Sequence, residues 1–220
     1  LATLFFFTAI KTNPIPNALT LLFVSPLIVA MLAPFVLGER FDVFIGIGVL
    51  VGFVGVVIVL QPDTDQFKPS LLYALVAGFC YSLYIITTRK LSLSGPPLLT
   101  LFYTAIVGTL VLGPMAVSSW VAPDLMGILM SATMGLVAAI SHFMIIKSFE
   151  NATASELSPF GYFEIVVAMV LSYFVFKFVP TFEAVVGLII IISSGLFVSW
   201  RAMKNNRTIT KKSESVIEML

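Results

Sequence analysis

Long apolar stretches separated by short polar breaks occupy nearly the whole chain. A helix needs about 20 mostly apolar residues to cross a hydrocarbon core of roughly 30 Å. Seven stretches are long enough, and a shorter apolar run at 1–10 indicates part of a further span. The seven predicted spans are 15–37, 43–61, 69–88, 97–118, 124–148, 153–177 and 182–200. This pattern predicts an all-α polytopic membrane protein, a helical bundle followed by a polar tail at 201–220.

The composition supports this fold class and excludes a soluble globular domain. Of the 220 residues, 59% are hydrophobic and 10% are charged, against about 25% charged in soluble domains, which need more polar surface. The net charge of +1 gives no electrostatic basis for a nucleic-acid partner. The single cysteine, Cys80, excludes an internal disulfide and has no metal-ligand spacing around it. We therefore expect no nucleic acid, cofactor or metal.

The Lys and Arg residues predict the orientation of the spans. If the spans alternate across the bilayer, nine of the twelve fall on one side and three on the other. The nine are Arg40, Arg89, Lys90, Lys147, Arg201, Lys204, Arg207, Lys211 and Lys212; the three are Lys11, Lys68 and Lys177. Because cytoplasmic loops carry the excess of basic residues, we predict a cytoplasmic C-terminus in a bacterial inner membrane.

A pair of similar segments indicates an internal repeat. The sequence PLIVAM at 26–31 matches EIVVAM at 164–169, so that position 26 corresponds to position 164. Each is followed by a charged turn and then by a final span with spaced glycines. The two copies enter the membrane from opposite sides, as expected for the inverted repeats of transporters. We predict the end of a first repeat at 1–62, a second five-helix repeat at 63–200 and a cytoplasmic tail at 201–220.

The ordered set of short motifs resembles the EamA branch of the drug/metabolite transporter superfamily. The residues that carry the resemblance are Pro26, the run Leu37-Gly38-Glu39-Arg40, Gly48, Gly55, the run Arg89-Lys90-Leu91-Ser92, Ala154, Ser155, Pro159, Phe160, Tyr162, Pro180 and Thr181. The resemblance implies ten helices in two inverted repeats, a site between them, and a carrier of small metabolites. Since the chain starts at Leu1 inside an apolar run, we expect a truncated N-terminus. The chain departs from the family pattern at Lys177 and Glu164, where Glu and a kinking proline are usual.

Two carboxyl groups in the predicted span 153–177 are candidates for function. Glu164 lies eleven residues into the span, about 16 Å along the helix axis, where a carboxyl group needs a proton or a partner. It is a candidate for proton coupling or substrate contact, or alternatively a protonated structural residue. Glu156 is nearer the cytoplasmic end, where it borders the same cavity or extends to the membrane surface.

Further candidate site residues have aromatic side chains. His142 is the only histidine, and imidazole changes charge near neutral pH, although a structural hydrogen bond is the alternative. Tyr162, Tyr84 and Tyr81 offer rings and hydroxyl groups that suit stacking on a substrate or hydrogen bonding to it.

Prolines and glycines predict where the backbone is unusual. Pro26 and Pro159 lie inside predicted spans, and each removes one helical hydrogen bond, which frees the carbonyl of Leu22 or Ser155. We therefore predict kinks that serve gating or binding. Close helix packing is predicted at small residues, namely Gly48, Gly52, Gly55, Gly187 and Gly195.

The leading functional hypothesis is a secondary transporter that moves a small organic metabolite by alternating access, with proton coupling as an option. The expected partners are the substrate, the lipid bilayer and, as one arrangement, a second copy in a homodimer. An intramembrane enzyme using Glu156, Glu164 or His142 is the alternative from another class, and a non-transporting scaffold is a third. No phosphate-binding loop or catalytic metal motif supports the enzyme.

Overall fold

The structure of the chain is a computed structural model that describes residues 1–39, 42–62, 65, 68–92, 94–118, 120–177 and 179–217. The side chains of 172, 176, 203 and 205–217 are not part of this description. Arg40 and the side chains of Arg207, Lys211 and Lys212 therefore lie outside the described residues.

All regular structure within the described residues is helical. The α-helices are α1 (Ala2–Ile10), α2 (Ile15–Leu22), α3 (Ser25–Leu37), α4 (Val43–Leu60), α5 (Leu72–Ser92), α6 (Pro97–Ser118), α7 (Leu125–Ser148), α8 (Ala154–Leu157), α9 (Phe163–Phe176) and α10 (Phe182–Ile217). Short 3₁₀ segments precede α5 at Pro69–Leu71 and α9 at Ser158–Tyr162.

Seven helical segments in the described part of the chain are long and apolar enough to cross a membrane. They are Ile15–Leu37, Val43–Leu60, Pro69–Ser92, Pro97–Ser118, Leu125–Ser148, Ala154–Val175 and Phe182–Ala202. The predicted all-α polytopic membrane protein is thus confirmed, and its spans match the predicted ones to within a few residues.

The chain forms two compact units. The first contains Leu1–Ile86 and Thr153–Leu220, and the second contains Thr87–Ala152. In the second unit α6 packs along α7, and Arg89 donates a hydrogen bond to the carbonyl of Phe149 at the end of α7. The predicted repeats, 1–62 and 63–200, are defined by sequence equivalence rather than by compactness, so they stay a prediction.

The first crossing segment contains a helix break where a kinked continuous helix was predicted. In this segment α2 ends at Leu22 and α3 begins at Ser25. Pro26 therefore lies in the first turn of a new helix, where the missing N–H costs nothing. The backbone of α5 covers this break, because a Cβ added at Gly78 would lie 3.0 Å from the carbonyl oxygens of both Leu21 and Leu22.

The sixth crossing segment is also interrupted. After the single turn of α8, the chain follows the 3₁₀ segment that contains Pro159 and then enters α9. The carbonyl of Ser155, predicted to be freed by Pro159, accepts a hydrogen bond of 3.0 Å from the hydroxyl of Ser158. A local side chain thus satisfies the backbone group that the proline leaves without its helical partner.

The helices α4 and α10 approach each other most closely at glycines, and we call this contact the glycine spine. A Cβ at Gly55 would lie 2.9 Å from the carbonyl oxygen of Gly187, and one at Gly187 would lie 2.8 Å from that of Gly55. The hydroxyl of Ser194 donates a 2.7 Å hydrogen bond to the carbonyl of Gly48. Only residues without side chains permit this separation.

An ion pair lies at one end of the glycine spine. Arg201 Nε on α10 lies 2.9 Å from Asp42 Oδ2, and the guanidinium carbon lies 4.5 Å from the centroid of the Phe44 ring. Asp42 also caps α4 by accepting a 2.9 Å hydrogen bond from the backbone N–H of Phe44. The start of α4 is therefore fixed to α10 by charge as well as by packing.

The spine predicts that Gly55→Ala destabilises the protein, whereas Gly46→Ala does not. The new methyl group at 55 meets a backbone carbonyl that cannot rotate away, and overpacking of this kind costs about 1–3 kcal/mol. At 46, on the same helix, a Cβ meets nothing within 4 Å, and alanine is favoured over glycine in a helix by about 1 kcal/mol. Thermal unfolding in detergent measures both, and equal shifts in the two variants would contradict the proposed packing role.

Candidate functional site

The two interrupted segments meet inside the first unit. The ring of Phe23, at the break between α2 and α3, packs edge-on against Tyr162 with centroids 6.2 Å apart. Pro26 Cγ lies 3.8 Å from the position of a Cβ at Gly161. Irregular backbone at membrane depth is stable only where protein buries it or where it borders a watery cavity. The breaks therefore stabilise each other by packing together.

Glu164 lies in the first turn of α9, near Tyr81 of α5. Its carboxyl group interacts electrostatically with Tyr81, and the rings of Tyr81 and Tyr84 stack with centroids 6.0 Å apart. Glu164 is exposed on the chain surface, and within the described residues its carboxylate forms no ion pair. We call Glu164, Tyr81 and Tyr84 the acidic–aromatic cluster.

The acidic–aromatic cluster joins three of the predicted site residues on two helices. A carboxylate at this depth binds a proton or pairs with a cation, and tyrosine rings attract cations through their faces and stack on flat ligands. The cluster is therefore chemically suited to an organic cation, a flat ring or a proton.

Glu156 has a local structural contact instead. Its Oε2 accepts a 2.9 Å hydrogen bond from the backbone N–H of Thr153, and Thr153 Oγ1 accepts one of 3.2 Å from the backbone N–H of Glu156. This reciprocal pair is a capping box, which satisfies backbone donors at the start of a helix. The carboxyl group of Glu156 thus holds the beginning of α8.

Tyr162 and His142 are also held within the protein. Tyr162 is fully buried at 0% exposure and packs against Gly52 of the glycine spine, so in this conformation it is a core residue rather than a surface for a substrate. His142, which belongs to the second unit, has its Nδ1 2.9 Å from the carbonyl oxygen of Ala138 on the same helix. An Nδ1–H donates in that bond, since a carbonyl only accepts.

Sequence reasoning named Glu39 as part of the family resemblance and missed its contacts. Its carboxylate accepts hydrogen bonds from the backbone N–H of Ala154 at 2.8 Å, from the backbone N–H of Ser155 at 3.2 Å and from the Ser155 hydroxyl at 3.0 Å. One signal was present in the sequence: Thr153 and Glu156 have the spacing of a capping box. That spacing marks a helix start that needs further acceptors.

The capping box predicts different outcomes for two changes at Glu156. Glu156→Gln keeps an amide oxygen that accepts from Thr153, so stability changes by less than about 0.5 kcal/mol. Glu156→Ala loses the acceptor and about 1 kcal/mol of stability. Thermal unfolding in detergent measures the two effects. Equal losses of stability in the two variants would contradict the capping role of this side chain.

The observed architecture defines a class of protein. Interrupted helices that meet within a polytopic bundle, with a carboxyl group and aromatic rings beside the break, are typical of secondary transporters. The sequence model of the EamA-like transporter family matches residues 1–61 and 68–200, so the chain belongs to that family. The resemblance found in the sequence motifs is thereby confirmed.

Relatives of known name are also transporters. The chain is 30% identical to the S-adenosylmethionine uptake transporter of Rickettsia prowazekii (strain Madrid E), over 87% of this chain and 65% of the relative. It is 27% identical to the riboflavin transporter of Vibrio cholerae serotype O1, over 88% of this chain and 66% of the relative. The chain thus spans about two thirds of the length of these relatives. Their names and the family name are those of transporters rather than enzymes.

A solved crystal structure has the same fold. It aligns with a TM-score of 0.78 at 19% sequence identity, and the alignment covers 90% of this chain and 73% of the solved chain. At this identity the likeness concerns the fold alone. It agrees with the helical membrane architecture described above.

Proposed function

We propose that the protein is a carrier that moves a small organic metabolite across the bacterial inner membrane by alternating access between two inverted repeats. The observation that carries this proposal is the position of the helix starts. The alignment that pairs position 26 with 164 also pairs Ser25, where α3 begins, with Phe163, where α9 begins. It pairs Val43, the start of α4, with Thr181, the residue just before α10 begins at Phe182. The positions of these helix starts therefore support the repeat that the sequence indicates.

Under this proposal the two repeats pack on each other through the glycine spine, which stays closed while the interrupted helices move. The backbones of α4 and α10 approach at Gly55 and Gly187, and close packing of this kind resists separation. Interrupted helices contain non-helical residues at which the chain can change direction.

We further propose the acidic–aromatic cluster as the place where substrate or proton binds. The substrates named for the relatives, S-adenosylmethionine and riboflavin, both contain a flat heteroaromatic ring, which suits stacking on Tyr81 or Tyr84. S-adenosylmethionine also carries a sulfonium cation, which suits the carboxylate of Glu164 and the tyrosine faces. We therefore choose S-adenosylmethionine as the first substrate to test and riboflavin as the second.

Proton coupling follows from the same carboxyl group. A protonated Glu164 is neutral and has lost its attraction for a cation, so proton and cationic substrate compete for one site. As access alternates between the two sides, such competition exchanges one for the other. Within the described residues, the titratable groups that interact with Glu164 in the structure include Tyr81 of the neighbouring helix α5.

We expect Glu164→Gln to abolish the pH dependence of uptake while the protein still folds. Glutamine preserves the shape and hydrogen-bonding capacity of the side chain but cannot change its charge. The measurement is uptake of radiolabelled S-adenosylmethionine, and separately of fluorescent riboflavin, into proteoliposomes with the full-length protein at acidic and alkaline external pH.

The same uptake assay tests the role of the Tyr81 ring. Tyr81→Phe should retain uptake because it keeps the ring, whereas Tyr81→Ala should lose it.

The matched control is Glu183→Gln, which removes an exposed carboxylate in the first turn of α10. It should leave the pH profile of the wild type unchanged. If Glu164→Gln has the wild-type profile as well, Glu164 is a structural hydrogen-bonding residue, and His142 becomes the next residue to substitute. If the wild type takes up neither compound, the proposed substrates are wrong.

The charge count predicts that a reporter fused after Leu220 is active only in the cytoplasm. Nine of the twelve basic residues fall on that side when the spans alternate, and the positive-inside rule then fixes the orientation. A pair of fusions with reporters that are active on opposite sides of the membrane measures this directly. Activity on the outer side would reverse the orientation of every span.

A further inference from the structure

Glu39 connects the end of one interrupted segment to the start of the other. It follows Gly38, whose φ of +67° turns the chain at the end of α3. The carboxylate then accepts three hydrogen bonds from the first two residues of α8, at 2.8, 3.2 and 3.0 Å. Hydrogen bonds to a charged group are stronger than neutral ones. The contact joins residues 115 and 116 positions apart in the sequence.

The repeat-related position lacks the residues for an equivalent contact, although a different hydrogen bond, of 3.0 Å from Asn13 Nδ2 to Ser70 Oγ, joins the repeats near the opposite ends of their helices. The alignment that relates the repeats, with position 26 paired to 164, places Lys177 opposite Glu39 and Pro16 opposite Ala154. Lysine has no acceptor to offer, and its positive charge is unfavourable beside the N-terminus of a helix. Proline has no backbone N–H to donate. Both partners of the shortest hydrogen bond are therefore missing from the mirrored position.

The contact of Glu39 differs in kind from the glycine spine. In the spine, backbone atoms of α4 and α10 pack directly, and their separation would leave voids along the helices. At Glu39, hydrogen bonds join the end of one helical segment to the start of another near the membrane surface, where water can replace each bond that breaks. The hydrogen bonds of Glu39 can therefore break and re-form at a moderate cost in free energy. Separation of the glycine spine would cost much more.

We propose that Glu39 and the first backbone N–H groups of α8 form a latch between the two repeats. The latch holds the repeats together on the side of the membrane where α3 ends. It stabilises the conformation that is closed on that side, so that its loss favours opening there. This inference rests on the proposed alternating access, and it adds the residue that biases it.

The test measures how fast buried positions become accessible from the Glu39 side. Single cysteines replace Ala154, at the latch, or Ala33, on α3, in the full-length protein with Cys80→Ala; both alanines are fully buried at 0% exposure. A membrane-impermeant maleimide is added to vesicles oriented with the Glu39 side outward. Opening of the repeats exposes both positions, whereas fraying of α8 alone exposes only Ala154→Cys.

Glu39→Ala should raise the labelling rate at both positions by roughly tenfold, since it removes a charged acceptor of three hydrogen bonds. Glu39→Gln should give an intermediate rise, because the amide keeps one acceptor oxygen and turns a donor toward the backbone N–H groups. Two controls should match the wild type: Lys177→Gln at the equivalent position, and Glu150→Gln, whose carboxylate lies 2.9 Å from Lys147.

An unchanged labelling rate in Glu39→Ala would overturn the latch, and so would a rise at Ala154→Cys alone. An equal rise in Lys177→Gln would show that the effect is not specific to Glu39, and it would also overturn the latch. If Glu39→Ala does not fold, as judged by size exclusion in detergent, Glu39→Gln decides by the same criteria. The labelling needs no substrate, so failure of the latch is distinct from failure of the proposed function, which is absence of uptake by the wild type.

Discussion

Hydrocarbon offers no hydrogen-bond partner to a backbone amide or carbonyl group, and this constraint governs the structure of the chain. Continuous helices such as α4 and α7 satisfy it internally. The two interrupted segments cannot, and each depends on neighbours: the break after Leu22 lies against Gly78, and the start of α8 is held by Thr153, Glu156 and Glu39. The irregular backbone is therefore found where other parts of the protein supply contacts and acceptors.

The same constraint explains why the candidate site lies where it does. Interrupting a helix exposes backbone dipoles and creates space between side chains, and both favour polar ligands. Glu164 is the second residue after the 3₁₀ segment, and Tyr81 of α5 interacts with it. A transporter needs polar groups at membrane depth, and the packing around the helix breaks stabilises the backbone that carries them.

Much of the fold could be predicted from the sequence, because hydrophobic length alone identifies a span. The seven crossing segments and the absence of strands in the described residues follow from that signal. The helix breaks did not follow from it. Pro26 begins a new helix, whereas Pro34 and Pro114 lie within α3 and α6, which continue through them. Tertiary packing decides between these outcomes, and the residues next to each proline do not show which outcome follows.

The site was predictable in part. Glu164, Tyr81 and Tyr84 were singled out as polar or aromatic residues within spans, and the structure brings them together. Sequence periodicity could not show that Tyr162 is enclosed by Phe23 and Gly52, or that Glu39 reaches Ala154, because these contacts join distant parts of the chain. The glycines were recognisable by spacing, but their partners on the facing helix were not.

The ion pair of Arg201 with Asp42 has a consequence for the alignment of α4 and α10. Glycines at 48, 52 and 55 recur at about one helical turn, so a slide by one turn, about 5.4 Å, would again bring small residues face to face. Packing alone would leave two such alignments close in energy. The 2.9 Å pair and the guanidinium over Phe44 exist in only one of them. A partly buried ion pair adds little net stability, but it selects one of the two alignments of α4 and α10 that packing alone leaves close in energy.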